Sequence, residues 1–308
     1  MTERPTFLKR QLLTATALTA LAVPLLAPAA KAQDIKRGGT LIMAREQEPQ
    51  TLDPFVPNDN GSIFAIEMIC DSLVEPDDTG YGLRPALAES WTTAEDGLSW
   101  TFTLRDAKFS DGTPVTIDDV VFSLNTLRQP ERPMGFLLAP VKDVVAVDAK
   151  TLRIDLNTPY APLPAALSAF AAAIVSKAAY EANPEAFGSA PVCAGPFKVD
   201  AFERGSLLAV SANPNYWDMG ADGQPKPYLA GVEFRYVPET NSRVLGLQNG
   251  DLDLVSNVGF NNAKALMANS DLVVAPADVF KLEYVYLNHT KKPWTQGLPA
   301  RPELCRRP

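Results

Sequence analysis

Histidine is almost missing from this chain of 308 residues, which has one, His289. No G-x-S-x-G occurs, so that histidine has no serine partner in the hydrolase pattern. Gly38-Gly39 lacks the following spacing of a phosphate-cradling loop. Cysteine is scarce too: Cys70, Cys193 and Cys305 fit no zinc spacing. An odd number leaves at least one thiol unpaired if the chain is exported, and Cys70 reads as a core residue on the apolar face of a helix. Positive charge is in deficit, with 28 basic against 36 acidic side chains and a net charge of -8. Such a surface repels phosphate backbones, which argues against nucleic-acid binding. After the first 32 residues no apolar run approaches the roughly 18 residues of a membrane span. No solenoid-length repeat occurs either.

What the N-terminus does have is the zoning of an export signal. Arg4, Lys9 and Arg10 form a basic start, Leu12 to Ala27 an apolar stretch, and Ala30-Lys31-Ala32 an A-x-A cleavage site. Pro24 and Pro28 oppose a persistent membrane helix. Lys9-Arg10-Gln11-Leu12-Leu13 is a degenerate twin-arginine-like pattern, and the general export route is the expectation. No cysteine follows the apolar stretch, so no lipid anchor is indicated.

Periodicity places the elements. Thr40 to Met43 is a short buried strand, broken by Leu52-Asp53-Pro54. Apolar positions 63, 66, 69, 70 and 73 predict a helix from Ile63 to Leu73. Trp100, Phe102 and Leu104 alternate with Thr101 and Thr103, so a half-buried strand should carry the Trp100 indole inward. Thr116-Ile117-Asp118-Asp119 is a variant capping box opening a helix with Val120, Leu124 and Leu127 on one face. Val144 to Val147 and Leu152 to Leu156 form a hairpin turning at 148-150. Pro162 to Val175 reads as an Ala-rich helix. Asn241 to Gln248 is a helix closed by Asn249-Gly250, and Asp251 to Val255 is a strand. The Glu95-Asp96 and Asp118-Asp119 pairs are explained by turn and cap chemistry, so no catalytic residue is assigned.

The segments GGTLIMAREQEPQTLDPF, DSLVEP and LRPALAESWTTAEDGLSWTFTLRDAKFSDGTPVTIDDVVFSLNTL, between Gly38 and Leu127, carry a family resemblance. Gly195-Pro196-Phe197-Lys198-Val199 and Asn213-Pro214-Asn215-Tyr216-Trp217 extend it to about residue 294. The chain resembles the peptide/nickel-type (family 5) extracytoplasmic solute-binding proteins that feed ABC importers. The resemblance implies an α/β fold: the first lobe of a type II periplasmic-binding-protein-like structure with an inserted α/β subdomain. On that reading residues 1-32 are the signal, 33-76 begin lobe I, and 77-194 are the insert. Residues 195-280 complete lobe I, 281-295 start lobe II with the strand KLEYVYLN, and 296-308 are an aberrant tail. Cys193-Ala194 stands where the family usually has Gly-Thr or Gly-Ser, which questions the loop geometry there.

The resemblance also implies a periplasmic receptor, not an enzyme, without cofactor or metal. Its partners would be a small-molecule or peptide ligand and, for a full-length protein, the importer's permease subunits; the receptor itself would be a monomer. Peptide is the default ligand, with nickel chelates, opines and sugars as alternatives. The ligand-contact candidates are Asn58, Asp59, Asn60, Gly61 and Ser62, a polar loop opening an apolar helix whose first amides can receive ligand oxygens. The opposing account is an exposed connection in which Asn58 and Ser62 only cap that helix. Family members continue well beyond position 294, whereas QGLPARPELCRRP is unlike what precedes it. The expectation is therefore a truncated or frameshifted fragment with impaired binding. A secreted hydrolase using acidic residues, or an inert pseudogene product, are the alternatives. The zoning predicts cleavage after Ala32, so mass spectrometry of the exported chain should show a start at Gln33; a membrane-bound product retaining Met1 would refute it.

Overall fold

The computed structural model describes residues 35-276 and Lys291. The expected signal peptide, the KLEYVYLN strand, His289, Cys305 and the tail lie outside the described residues. In chain order the elements are β1 (Thr40–Arg45), α1 (Asn60–Ile69), β2 (Val74–Pro76), β3 (Leu83–Pro85), β4 (Ala88–Thr93), β5 (Ser99–Leu104) and α2 (Ile117–Leu127). There follow β6 (Val141–Ala146), β7 (Thr151–Leu156), α3 (Leu163–Ala166), α4 (Lys177–Ala182), α5 (Pro184–Phe187), β8 (Phe197–Glu203) and β9 (Leu207–Ala212). The last are β10 (Gly231–Tyr236), α6 (Thr240–Asn249), β11 (Leu254–Val255) and α7 (Phe260–Leu266). Among the described residues two compact units emerge: the first holds residues 35–42 and Glu48–Arg235, the second Met43–Gln47 and the described residues from Tyr236 on.

In the first unit β4, β5, β7 and β6 form an antiparallel sheet in that order. Phe102 and Leu104 are buried, as the alternation predicts, and Leu152, Ile154 and Leu156 answer them from β7. Helix α2 packs on β6 and β7 through its buried Val120, Leu124 and Leu127. Each such side chain contributes about 2 kcal/mol of apolar burial. Its capping box is complete: the Thr116 hydroxyl accepts from the Asp119 amide, and the Asp119 carboxylate accepts from the Thr116 amide at 2.9 Å. The β6–β7 hairpin turns where expected, the Asp148 carboxylate accepting from the amides of Lys150 and Thr151, each at 2.8 Å. Strands β8, β9 and β10 form an antiparallel meander, and β2 pairs with β3.

Trp100 shares the inward face of its strand with Phe102 and Leu104: it is half-buried, and its indole Nε1 is sealed from solvent without a hydrogen-bond partner. Two expectations are corrected. Helix α1 stops at Ile69, short of Leu73: Cys70 is extended, and the Ile69 carbonyl accepts instead from the Gly195 amide at 3.1 Å. The Ala-rich stretch is helical only over Leu163–Ala166, with a 3-10 turn at Phe170–Ala172. Its later amides go to neighbours. Ile174 donates to the Asp71 carbonyl at 2.9 Å and Val175 to the Ser123 hydroxyl at 3.1 Å. Because these residues are fully buried, such partners replace the helical ladder.

Cys70 is more than a core residue: it is disulfide-bonded to Cys193, and both are buried. Cys193 does not need the glycine conformation, since Asn257 is the one non-glycine residue with positive φ among those described. The close approach belongs to Gly195, where an added Cβ would meet the Ile69 carbonyl carbon at 2.5 Å.

In the second unit, β1 pairs in parallel with β11, Met43 opposite Leu254 and Ala44 opposite Val255. Helix α6 runs to Asn249 and is closed by Gly250 at φ 81°. Its Arg243 is fully buried. The guanidinium donates to the carbonyls of Val237 and Pro238 at 2.7 Å each and of Asn257 at 3.2 Å.

The disulfide closes a loop spanning 123 positions, so its loss should cost about 2–5 kcal/mol. Cys70→Ala/Cys193→Ala should lower the urea midpoint of the oxidised protein and abolish its sensitivity to reductant. Equal midpoints with and without reductant in the parent chain would contradict the assignment.

Candidate functional site

The loop before α1 is built from its root outward. Leu52 donates through its amide to the Gly188 carbonyl at 2.8 Å, and the Thr51 hydroxyl donates to the same oxygen at 3.3 Å. The Arg204 guanidinium holds the Pro49 and Gln50 carbonyls, and the Glu48 carboxylate accepts from the Gly205 amide. Asp53 is buried, and its carboxylate accepts from the Phe55 amide at 2.9 Å and the Tyr180 hydroxyl at 3.2 Å. Burial raises its pKa above the ordinary carboxylate value, against the lowering effect of these bonds and of Arg132.

Of the five residues expected to meet ligand, three serve as frame. Asp59, not Asn58, is the N-cap: its carboxylate accepts from the Ser62 amide at 2.9 Å and the Ser62 hydroxyl at 2.8 Å. The Ser62 hydroxyl also accepts from the Gln50 amide at 2.8 Å, and Ser62 is fully buried. Gly61 lies against the Glu48 carbonyl, which a Cβ would approach to 2.5 Å. Asn58 and Asn60 are exposed, as is Val56. The loop therefore presents two carboxamides on a base whose polar groups are already satisfied. Sequence reasoning missed Asp53, Tyr180 and Arg204 as supports. The Leu52-Asp53-Pro54 break marked the position of the first, but nothing in the sequence marks the partners.

Other concave or charged places differ in kind. A 540 Å³ cavity runs from Phe109 to the first turn of α2 and across to Glu181. It is acidic, with Asp119 already committed to the capping box and to the Lys177 amide at 2.9 Å. The second unit holds a 560 Å³ cavity lined by apolar residues such as Leu247, Val258, Leu266 and Val274. Among the described residues no cluster of His, Cys, Asp or Glu could hold a metal, and no helix is long and apolar enough to cross a membrane.

The most perturbed acid is Asp71, just after the disulfide. Its Oδ2 accepts from the Trp217 indole at 2.7 Å, while the Arg105 guanidinium stacks 3.7 Å from the Trp217 ring centre. Desolvation pushes the Asp71 carboxyl up to about 8, the indole hydrogen bond opposing. It is buried among packing partners, and the charges of Glu75 and Asp218 raise it further while that of Arg84 lowers it.

The profile of the "Bacterial extracellular solute-binding proteins, family 5 Middle" matches residues 82–297, more than half of the chain. The chain belongs to the family 5 solute-binding proteins. These are substrate-binding proteins of ABC transporters, not enzymes. The "Probable D,D-dipeptide-binding periplasmic protein DdpA" of Escherichia coli (strain K12) is 30% identical over 267 residues, covering 83% of this chain and 51% of that protein. The fold matches the periplasmic binding protein MoaA, in complex with mannopinic acid, from A. tumefaciens R10. That match has a TM-score of 0.77 at 30% identity, over 85% of this chain and 53% of the other. It also matches the ABC transporter-associated periplasmic binding protein DppA from Helicobacter pylori, in complex with the peptide STSA. There the TM-score is 0.69 at 28% identity, over 77% of this chain and 50% of the other. The chain thus has the α/β fold of type II periplasmic binding proteins and spans about half the length of the curated family 5 relatives it matches.

Asp71 generates a pH prediction. An unfolded aspartate titrates near 4, so between about pH 4 and 8 the folded state holds a proton that the unfolded state has lost. The contribution of Asp71 to stability then falls as pH rises across that window, by up to about 1.4 kcal/mol per unit, and levels off above it. Asp71→Asn, whose amide oxygen can still accept from Trp217, should flatten that fall. Parallel pH–stability curves for the two proteins would show that Asp71 titrates normally.

Proposed function

We propose that this chain is the extracytoplasmic solute-binding component of an ABC importer, taking a peptide or a peptide-like organic acid. The observation that carries the reading is the family 5 profile match over residues 82–297. The ligands named for the relatives, a D,D-dipeptide, mannopinic acid and the peptide STSA, support the solute class: all are small polar acids with several hydrogen-bonding groups. On this reading Asn58 and Asn60 contact solute, while Asp59, Gly61 and Ser62 hold the helix start in place. A carboxamide suits this task because it offers two donors and an acceptor without imposing charge on the choice of solute. Binding needs no covalent step. A permease would be the membrane partner, and periplasmic export delivers the receptor to it.

Calorimetry on the 308-residue chain with a D-alanyl-D-alanine, mannopinic acid, glutathione and tetrapeptide panel tests the reading. At least one compound should bind, and Asn58→Ala/Asn60→Ala should weaken it about tenfold, the worth of two lost hydrogen bonds at roughly 0.5–1.5 kcal/mol each. Binding unchanged in the double variant would remove the loop from the site. Absence of any binding, or sustained turnover of a panel compound, would overturn the receptor assignment.

A further inference from the structure

Three side chains link the candidate loop to a distant part of the sequence within the first unit. The Tyr180 hydroxyl of α4 donates to Asp53 Oδ2 and accepts from Arg132 Nη2, each at 3.2 Å. Arg132 lies between α2 and the 3-10 turn Gly135–Leu138, where its amide donates to the Gln129 carbonyl and its carbonyl accepts from the Gly135 amide, both at 3.0 Å. Its guanidinium also lies 5.9 Å from the centre of the Phe55 ring, two residues beyond Asp53. Phe55 is buried edge-on against Tyr180 at 5.7 Å, and Tyr180 in turn meets Phe122 at 5.5 Å and Phe187 at 5.0 Å. Arg132 Nε is buried without a hydrogen-bond partner. An arginine held with an unsatisfied buried donor loses free energy at that atom, and the contacts to Tyr180 and Phe55 must offset it.

We infer that Arg132 is a positioning residue for the solute loop, acting through the Tyr180 hydroxyl on Asp53 and through its cation–π contact on Phe55. The inference rests on reading Asn58 and Asn60 as solute contacts. It adds a support that does not itself touch the solute. Asp53 and Phe55 are buried and anchored just ahead of the exposed Val56, with the buried Pro57 following, so fixing them helps fix where Asn58 and Asn60 start. Arg132 grips this point twice, once through a hydrogen-bonded relay and once through a ring face. A preorganised loop loses less freedom when solute arrives, so the support would act on affinity without adding a contact.

The test is a double-mutant cycle read by amide hydrogen exchange on the unliganded 308-residue chain. Arg132→Met and Tyr180→Phe should each raise exchange at residues 54–60 about tenfold, as expected when a local anchor is lost, with the amides of β4–β7 unchanged. Together they should do little more than the larger single change, because both cut one relay. Arg132→Lys, which keeps the charge and a donor, should restore at least half the protection. Unchanged exchange in the loop, additive effects, or an increase spread over the whole first unit would each overturn the inference. Should Arg132→Met not fold, Tyr180→Phe against Arg132→Lys carries the same comparison. Calorimetry with mannopinic acid and D-alanyl-D-alanine separates this inference from the receptor reading. Loop-confined exchange without any binding upholds the support and sinks the receptor, whereas binding with an unchanged loop does the reverse.

Discussion

The first unit depends on the point where α1 ends. Within Ile69–Asp71 the chain accepts the Gly195 amide on one carbonyl and the Ile174 amide on another, bonds covalently to Cys193, and receives the Trp217 indole on a carboxyl. Three stretches far apart in sequence, around positions 174, 193–195 and 217, therefore converge on three residues. Gly195 permits this because no Cβ could fit against the Ile69 carbonyl. The cost is a carboxyl taken out of water, and it is limited by leaving Asp71 protonated near neutral pH. A charged Asp71 would need a dedicated cation, but Arg84 is shared with Glu75 and Asp218, and Arg105 is committed to the Trp217 ring and the Ala86 carbonyl.

This junction also explains which parts of the fold were legible in the sequence. Local rules placed the capping box of Thr116, the Asp148 turn, the α6 terminus at Gly250 and the alternation of Phe102 and Leu104, because each is decided within a few residues. The misreadings fall where remote backbone groups took over. Residues 70–73 keep a helical apolar period, yet Gly195 and Cys193 claim the α1 terminus. Residues 167–175 have helix-forming composition, yet Asp71 and Ser123 take the amides of Ile174 and Val175. Propensity is a weak prior wherever a buried neighbour offers a competing partner. The cysteine pairing was illegible for the same reason: three cysteines allow three pairings, and only the fold brings Cys70 to Cys193. Trp100 shows another limit, since alternation fixes the face of a strand but not how far a residue near its end is covered.

The candidate site was legible as a place but not as a division of labour. A polar run ahead of an apolar helix marked 58-62. Sequence could not say that Ser62 would be sealed inside by the Gln50 amide and Asp59, nor that Asn58 would be left exposed while Asp59 took the cap. On the opposing account the run is an exposed connection in which Asn58 and Ser62 only cap the helix. The geometry separates the run by residue: capping uses Asp59 and Ser62, and Asn58 and Asn60 are not spent on it.

That separation bears on how a binding loop can be both polar and stable. Had the loop's exposed carboxamides also capped the helix, a solute competing for them would have loosened α1. Here the helix start is closed by Asp59, the root by Gly188 and Arg204, and the buried turn by Asp53 with Tyr180. Solute could then replace water on Asn58 and Asn60 without breaking an internal hydrogen bond. The strength of such a contact is set by the difference between solute and water as partners, undiminished by the cost of unmaking structure. Arg243 organises the second unit by the same rule, its guanidinium spent on the carbonyls of Val237, Pro238 and Asn257. In both units the charged groups with most hydrogen bonds to backbone hold the chain's turns, and the uncharged amides of Asn58 and Asn60 are left to face solvent.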